Sequence, residues 1–279
     1  MTTLDERAWT LRTREGVRLF VREIGDADAR DVLVVVHGYG EHGGRYVERL
    51  GPFVDAGFRV VLPDMRGHGK SDGPRGHVLH FDAYAADVEQ LVDHLGVSPE
   101  RLHLLGHSNG GLISLLYLLT RPRSVRVAAL SAPLLGFAVE APRWKLAAGR
   151  TLSRVLPRVS LPTEIDPAHL SHDPAVRDAY ANDPLNHFVV NTRWFTEAER
   201  AITLCGRQAR HLPVPLLMLL AGDDRLVDAM AARRWAERAP EGLVTVEEVP
   251  GAFHELLFEV DGARHAERLL EHFSTGREA

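Results

Sequence analysis

One serine of the chain stands in a pattern typical of an enzymatic nucleophile. Residues 106–110 read Gly-His-Ser-Asn-Gly, a G-x-S-x-G sequence with Ser108 at its centre. An apolar run precedes these residues and a helical pattern follows them, so Ser108 would lie on a tight turn between a strand and a helix, with its hydroxyl exposed. The sequence therefore predicts a nucleophilic serine, against the alternative of an ordinary serine in a glycine-rich turn.

A serine hydroxyl is a weak nucleophile, so the chain must also supply a base and an acid that orients the base. Where the nucleophile lies on such a turn, the chain order is serine, acid, histidine. The apolar run 214–221 leads to two adjacent acids. We favour Asp224 as the orienting acid and interpret Asp223 as a turn or capping residue. The next predicted strand, 243–249, leads to His254, which we predict to be the base.

Acyl transfer also needs two backbone N–H groups that stabilise the oxyanion. We predict one at Asn109, directly after the nucleophile, and the other at Tyr39, in the loop that follows the early apolar run 31–36. These groups together predict cleavage of a carboxylic ester through an acyl-enzyme. This chemistry implies neither a metal ion nor an organic cofactor.

The elements that would position these residues alternate along the chain. Short, fully apolar runs separated by amphipathic stretches are typical of a parallel sheet covered by helices on both faces. Residues 17–23 alternate apolar and polar side chains, which favours an antiparallel strand of an edge hairpin. The further predicted strands are 31–36, 58–62, 101–105, 125–130, 214–221 and 243–249, and the predicted helices are 81–95, 109–120, 228–239 and 260–273.

This alternation stops between Pro133 and about Asn191, where prolines are frequent and no convincing strand is found. We interpret this stretch as a mostly helical cap inserted above the sheet. The predicted organisation is a first part of the core at 1–133, the cap at 134–190 and a second part of the core at 191–279.

Within the cap, residues 141–160 contain five basic side chains and no acidic one. At helical spacing, Arg143, Arg150 and Arg154 share one face. An apolar face is shared by Trp144, Ala148, Leu152, Val155 and Leu156. Two interpretations stay open: an ordinary cap helix packed on the sheet domain, or a basic amphipathic helix that makes peripheral contact with a membrane or micelle.

Composition excludes several classes of protein. The net charge of −5 argues against a nucleic-acid partner. A single cysteine, Cys205, excludes an intrachain disulfide and a Cys-x-x-Cys site. The N-terminus lacks the apolar stretch of a signal peptide, and the apolar runs fall short of the roughly twenty residues of a spanning helix. We therefore expect a cytoplasmic protein, with peripheral membrane contact left open.

The motifs of the chain resemble those of the α/β-hydrolase superfamily, and within it the branch that contains monoacylglycerol lipases and lysophospholipases, also described as serine aminopeptidase S33 or hydrolase-4. The resemblance covers nearly the whole chain. It is carried by H-G-Y-G-E-H-G-G-R-Y at 37–46, D-M-R-G-H-G-K-S at 64–71, G-H-S-N-G-G at 106–111, L-P-R-V-S-L at 156–161, A-Y-A-N-D-P-L at 179–185, D-R-L-V-D at 224–228 and G-A-F-H-E-L at 251–256.

The resemblance implies an α/β-hydrolase fold with a helical cap and a small amphipathic lipid ester as substrate, most simply a monoacylglycerol. It implies the catalytic triad argued above, and polar contacts to the glycerol head at Glu41, Arg45 and Tyr180. Two positions depart from the usual pattern. Asn109 replaces a methionine, and Leu257 stands where better-known members carry a second histidine. A lysophospholipase or a general carboxylesterase therefore stays an alternative.

Three functions from other classes explain fewer of these residues. Residues 38–43 form a G-x-G-x-x-G sequence, and Asp64 follows the next predicted strand, as in dinucleotide-binding oxidoreductases. That interpretation leaves Ser108, Asp224 and His254 unexplained. A binding protein without catalytic activity would not require a serine, an acid and a histidine in this order. A zinc protease is excluded, because no H-E-x-x-H sequence follows His254.

Overall fold

The computed structural model describes residues 5–121, 124–138, 149, 151–163 and 165–275. Its strands are β1 (Glu6–Arg12), β2 (Arg18–Ile24), β3 (Asp31–Val36), β4 (Phe58–Pro63), β5 (Leu102–His107), β6 (Val127–Ser131), β7 (Ser160–Pro162), β8 (Val189–Asn191), β9 (Leu216–Ala221) and β10 (Val244–Val249). Its helices are α1 (Gly51–Asp55), α2 (Asp82–Leu95), α3 (Asn109–Thr120), α4 (Pro174–Asn182), α5 (Thr192–Gln208), α6 (Ala229–Ala236) and α7 (Gly262–Thr275).

Eight of these strands form one sheet in the order β1-β2-β4-β3-β5-β6-β9-β10. β1 and β2 form an antiparallel hairpin, and β2 also pairs antiparallel with β4. From β4 onwards in this sheet order, all neighbouring strands pair parallel. Every residue of β3 and β9 is buried, as expected for strands covered on both faces. The predicted α/β-hydrolase fold with a mostly parallel sheet is confirmed.

Successive side chains of the central strands point to opposite faces of the sheet, where they pack into two separate hydrophobic cores. Val34 packs on the face covered by α2, α3, α5 and α6, whereas Leu33 and Val35 pack on the face covered by α1 and α7. α1 and α7 bury one face, which includes Phe53 and Phe273, whereas α3 is buried on all sides from Asn109 to Leu118. This arrangement leaves the carboxyl ends of β3, β5, β9 and β10 at one edge of the sheet, so the four loops that follow these strands converge there.

The described part of the insertion contains a small sheet besides its helical segments. β7 and β8 pair antiparallel and form a small second sheet. Each strand has only three residues, and β7 ends on Pro162, so neither produces a periodic pattern in the sequence. The domain boundaries at 133 and 190 stay a prediction.

The described end of the predicted cap helix is helical over residues 151–155. Its buried side chain is Ser153, whose hydroxyl is 2.8 Å from Thr196 Oγ1 of α5. Val155 and Leu156, from the predicted apolar face, are instead exposed. Arg143, Trp144, Lys145, Ala148 and Arg150 lie outside the described residues. No helix in the described ranges is both long enough and apolar enough to cross a membrane.

Candidate active site

Ser108 lies on the turn between β5 and α3, with a backbone φ of 52° and ψ of −117°. This left-handed conformation costs a residue with a side chain on the order of 1–3 kcal/mol, so the surrounding structure must hold it. The Ser108 N–H donates to Ser131 O at 2.9 Å, and the Ser108 carbonyl accepts from the N–H of Leu134 at 3.0 Å. These bonds fix the turn from which the serine side chain projects.

Glycines allow the close packing around this turn. A Cβ on Gly106 would lie 2.5 Å from Gly110 O, and a Cβ on Gly110 would collide with the carbonyl oxygen of Val36 at the end of β3. A Cβ on Gly38 would lie 3.4 Å from Ser108 Cβ. The loop after β3 therefore packs directly against the serine.

Asp224 and His254 come together at the ends of β9 and β10. His254 Nδ1 is 2.7 Å from Asp224 Oδ2, and both side chains are buried. Asp224 Oδ1 accepts the backbone N–H groups of Leu226 and Val227 at 2.9 and 3.0 Å, which fixes the carboxylate. The other acid that the sequence offers, Asp223, is exposed and pairs with Arg225.

The electrostatic environment favours a basic His254. Burial alone would lower the pKa of His254, but the charge and hydrogen bond of Asp224 raise it above its ordinary value. The ring of His107 lies 4.9 Å away, and burial lowers the pKa of His107 to about 3, so this neighbour stays neutral. Burial alone would raise the pKa of Asp224, yet His254 and the two N–H groups lower it.

Ser108 and His254 line the same cavity. Within the described part of the chain, no hydrogen bond joins Ser108 Oγ to the His254 ring. Such bonds are often long without substrate and tighten in the complex. Since Asp224 occupies Nδ1, Nε2 is the ring nitrogen left to face the serine. The structure thus brings the three predicted residues together, and their catalytic roles stay a prediction.

The two predicted oxyanion donors lie on either side of Ser108. Asn109 is the first residue of α3, and Tyr39 is in the loop after β3. Neither backbone N–H donates a hydrogen bond to another described residue. The Tyr39 side chain is anchored, because its hydroxyl donates to Gly76 O at 2.9 Å and its ring lies 4.0 Å from that of Trp194.

A buried ion cluster lies beneath this loop. Glu41 accepts the Gly38 N–H at 2.6 Å and the Tyr46 hydroxyl at 2.7 Å, and it also pairs with Arg45. Burial alone would raise the pKa of Glu41, but Arg45 and neighbouring groups lower it to about 2. Arg45 also donates from both Nη atoms to the carboxylate of Glu255, each at 2.7 Å.

Of the three predicted head-group residues, Glu41 and Tyr180 line the cavity, whereas Arg45 lies behind them. Its guanidinium is 4.8 Å from the ring of Tyr180. Glu255 lines the cavity as well, and sequence reasoning missed it, although it directly follows His254. Leu257, at the position of the second histidine, is buried in the core and does not line the cavity.

The cavity has a volume of about 710 Å³. Its polar end is formed by Ser108, His254, Glu41, Glu255 and Tyr180. The remaining wall is predominantly apolar and includes Leu134, Phe137, Leu161, Ile165, Leu170, Val190, Trp194, Phe195, Leu226 and Val227. The arrangement suits a molecule with one long apolar part and one small polar part.

The geometry of the G-x-G-x-x-G loop argues against a dinucleotide site. Asp64 is fully buried, and its two carboxylate oxygens accept the N–H groups of Gly43 and Lys70 at 2.9 and 2.8 Å. No oxygen of Asp64 is therefore presented to a ribose. Among the described residues, no group of three or more His, Cys, Asp or Glu side chains is arranged to hold a metal ion.

Comparison with known proteins relates the whole arrangement to a hydrolase family. The model of the family described as "Serine aminopeptidase, S33" matches residues 27–261. The chain is 32% identical to the monoacylglycerol lipase of Mycolicibacterium smegmatis over 84% of each chain. It is 29% identical to phospholipase YtpA of Bacillus subtilis, over 82% of this chain and 89% of that protein.

A solved structure agrees with these relatives. The crystal structure of the monoacylglycerol lipase of Paleococcus ferrophilus superimposes with a TM-score of 0.86 at 30% identity, covering 92% of this chain and 99% of that chain. The resemblance inferred from the motifs is confirmed.

We expect Asp224→Asn to lower the kcat of p-nitrophenyl butyrate hydrolysis by about 1,000- to 10,000-fold, because the amide favours the wrong tautomer of His254. Asp223→Asn makes the same chemical change on an exposed side chain and should leave kcat within about twofold. Thermal denaturation of both variants controls for folding. Similar losses in the two variants would contradict the assignment.

The raised pKa of His254 sets the pH dependence. His254 must be neutral to accept the serine proton, so activity is present above its pKa and is lost as the pH falls through it. We expect the acid limb of kcat/KM for p-nitrophenyl butyrate to have its midpoint above the ordinary histidine value of about 6.5. A midpoint at or below that value would show that Asp224 does not stabilise the imidazolium as described.

Proposed function

We propose that this chain, which belongs to the serine aminopeptidase S33 family and is a monoacylglycerol lipase-like ester hydrolase, cleaves monoacylglycerol to a fatty acid and glycerol. The observation that carries this proposal is the cavity, which is apolar along most of its wall and polar beside Ser108 and His254. Its volume lies within the range typical of sites for small organic ligands, roughly 300–1,000 Å³.

Acylation begins with attack of Ser108 Oγ on the ester carbonyl carbon, while His254 Nε2 accepts the hydroxyl proton. The backbone N–H groups of Tyr39 and Asn109 stabilise the negative charge on the carbonyl oxygen. Asp224 orients the ring of His254 and stabilises the imidazolium. The intermediate then collapses as His254 returns the proton to the leaving glycerol oxygen, which leaves the acyl group on Ser108.

Deacylation uses the same groups in reverse. His254 takes a proton from a water molecule, and the resulting hydroxide attacks the acyl carbon with the same two N–H groups on the oxyanion. Collapse of this second intermediate returns the proton to Ser108 Oγ and releases the fatty acid. Besides the ester and one water molecule, both steps use only groups of this chain.

The two ends of the cavity match the two ends of a monoacylglycerol. The acyl chain would occupy the apolar wall, where its burial contributes about 0.8 kcal/mol per methylene. The glycerol would lie against Glu41 and Tyr180. Since Arg45 lies behind these residues, it would act by holding Glu41 and Glu255 and not by direct contact. A lysophospholipid is the second candidate substrate, because one relative of the chain is named a lysophospholipase.

Peripheral contact with a lipid surface is the second part of the proposal. Val155, Leu156 and Leu161 of the cap are 70%, 53% and 49% exposed, and Arg154 and Arg158 beside them are exposed too. Leu161 also lines the cavity, so one of these exposed apolar side chains belongs to the cavity wall. Apolar and basic side chains together suit an anionic lipid surface.

The substrate assignment is tested with 1-monooleoylglycerol, monooleoyl-lysophosphatidylcholine and p-nitrophenyl butyrate, with Ser108→Ala as the blank. We expect monooleoylglycerol to have the highest kcat/KM and the blank to lose activity on all three. A preference for the lysophospholipid would favour the second candidate. Cleavage of p-nitrophenyl butyrate and of neither lipid would indicate a serine esterase and would contradict the lipid assignment.

The membrane contact is tested by co-sedimentation with vesicles that contain phosphatidylcholine and phosphatidylglycerol. The double variant Val155→Ser, Leu156→Ser removes two exposed apolar side chains and should bind about tenfold more weakly. Val260→Ser makes the same kind of change at a residue that is 77% exposed and lies outside the cap. Equal binding of wild type and double variant would contradict the proposed contact.

A further inference from the structure

The charged residues that line the catalytic cavity in the described part of the chain share one sign. They are Glu41, Glu199 and Glu255, and no lysine or arginine of the described ranges lines the cavity with them. Two of the three, Glu41 and Glu255, belong to the polar end, beside the serine and the histidine. Among the residues that the structure describes, a substrate at this end therefore meets carboxylates and no lysine or arginine.

Arg45, the cation that contacts both carboxylates, is not available to a ligand. Its side chain is 8% exposed, and its guanidinium donates to both Glu41 and Glu255. The rings of Tyr180 and Phe258 lie 4.8 and 4.4 Å from its guanidinium carbon. An anion could reach this arginine only by displacing a carboxylate that already makes short, charge-assisted hydrogen bonds.

The cluster consequently carries an excess of one negative charge. Glu41 is ionised at neutral pH, since its pKa is lowered to about 2. The bidentate geometry of Glu255 on the guanidinium is that of a carboxylate. Asp224 adds another buried negative charge on the far side of His254. Buried charges are screened by salt much less than surface charges, so their effect persists at physiological ionic strength.

We propose that Glu255 is a specificity-determining residue, which together with Glu41 admits esters whose leaving alcohol is an uncharged polyol and excludes esters whose leaving alcohol bears a phosphate. This inference rests on the proposed function and names the class of head group that the same site accepts.

Glu255 is placed to act on the leaving alcohol. It directly follows His254, the residue that would protonate the leaving oxygen, and its backbone N–H donates to Leu170 O of the insertion at 2.8 Å. A carboxylate oxygen accepts about two hydrogen bonds, so each Glu255 oxygen keeps acceptor capacity beyond its bond to Arg45. Tyr180 faces the same end, and its hydroxyl has no hydrogen-bond partner among the described residues.

The two head groups differ in what they offer to these oxygens. A glycerol hydroxyl donates a hydrogen bond to a carboxylate, and such a bond is roughly twice as strong as one between neutral groups. A phosphate monoester near neutral pH carries a charge of about −1.5 to −2 and presents mainly acceptor oxygens. It cannot satisfy the carboxylates and is repelled by them.

The experiment compares two substrates that differ only in this group, 1-oleoylglycerol and 1-oleoylglycerol 3-phosphate. Both are presented at the same low mole fraction in neutral detergent micelles, so that the surface charge of the micelle stays comparable. We expect kcat/KM for the uncharged head to exceed that for the phosphate-bearing head by at least about 100-fold. The ratio is measured on one enzyme, so differences in folded fraction cancel.

Glu255→Gln removes the negative charge while keeping the size of the side chain, and should reduce this ratio by at least about tenfold. Glu255→Asp keeps the charge and should retain most of the preference. Glu48→Gln makes the same change in net charge at an exposed residue of the segment before α1 and should leave the ratio at the wild-type value.

Three outcomes would overturn the inference. If the wild type cleaves both lipids equally well, the head group is not selected by charge and the proposed function still stands. If Glu255→Gln leaves the ratio unchanged, Glu255 is not the selecting residue. If p-nitrophenyl butyrate is cleaved and neither lipid is, the proposed function fails and the inference falls with it.

Discussion

The close contact between α3 and the end of β3 is the constraint on which the site depends. Gly110 packs so tightly against the Val36 carbonyl that no larger residue fits there. This contact fixes the start of α3, and with it Ser108 and the N–H of Asn109. It also places the loop after β3 beside the serine, where Gly38 again leaves no room for a larger side chain. One packing constraint therefore sets the position of Ser108 relative to both predicted oxyanion donors.

The buried ion cluster connects this loop to the loop that carries the histidine. Glu41 accepts the N–H of Gly38, Arg45 joins Glu41 to Glu255, and Glu255 directly follows His254. A buried ion pair of this kind is weak evidence for stability, because the cost of removing the charges from water offsets much of their attraction. In this structure the cluster instead holds the two loops together and places negative charge beside His254. Removing Arg45 would leave two buried carboxylates without compensation beside His254.

The parts of the structure that could be predicted from sequence are those with a local cause. β3 and α3 begin and end where their patterns predicted, because a buried parallel strand is apolar throughout and the G-x-S-x-G turn fixes where the helix begins. Asp224 was favoured over Asp223 from the motif, and the structure places only Asp224 against His254. β7 and β8 left no signal, since three residues are too few for a periodicity.

The role of Glu255 could not be predicted for a different reason. Its partner Arg45 is 210 residues away in the chain, and a contact between residues so far apart has no local pattern. The same holds for Arg45, which the resemblance suggested as a head-group contact and which the fold places behind the carboxylates. Ser153, which is buried against Thr196 while Val155 and Leu156 are exposed, is a third such case.

The residues predicted to carry the chemistry and most of those that form the apolar wall come from different parts of the fold. Ser108, His254, Asp224 and the loop of Tyr39 all belong to loops at one edge of the central sheet, whose packing tolerates little change. Much of the apolar wall comes from the insertion instead, through short segments that include Leu161, Ile165, Leu170 and Val190. Glu255 lies between the core and the insertion. Its side chain pairs with Arg45 of the core, and its backbone N–H donates to Leu170 O of the insertion. A change in the insertion can therefore alter the apolar wall without disturbing Ser108, Asp224 and His254. Under the proposed function, a change at Glu255 would alter the charge beside the leaving group, and with it both the specificity and the basicity of His254.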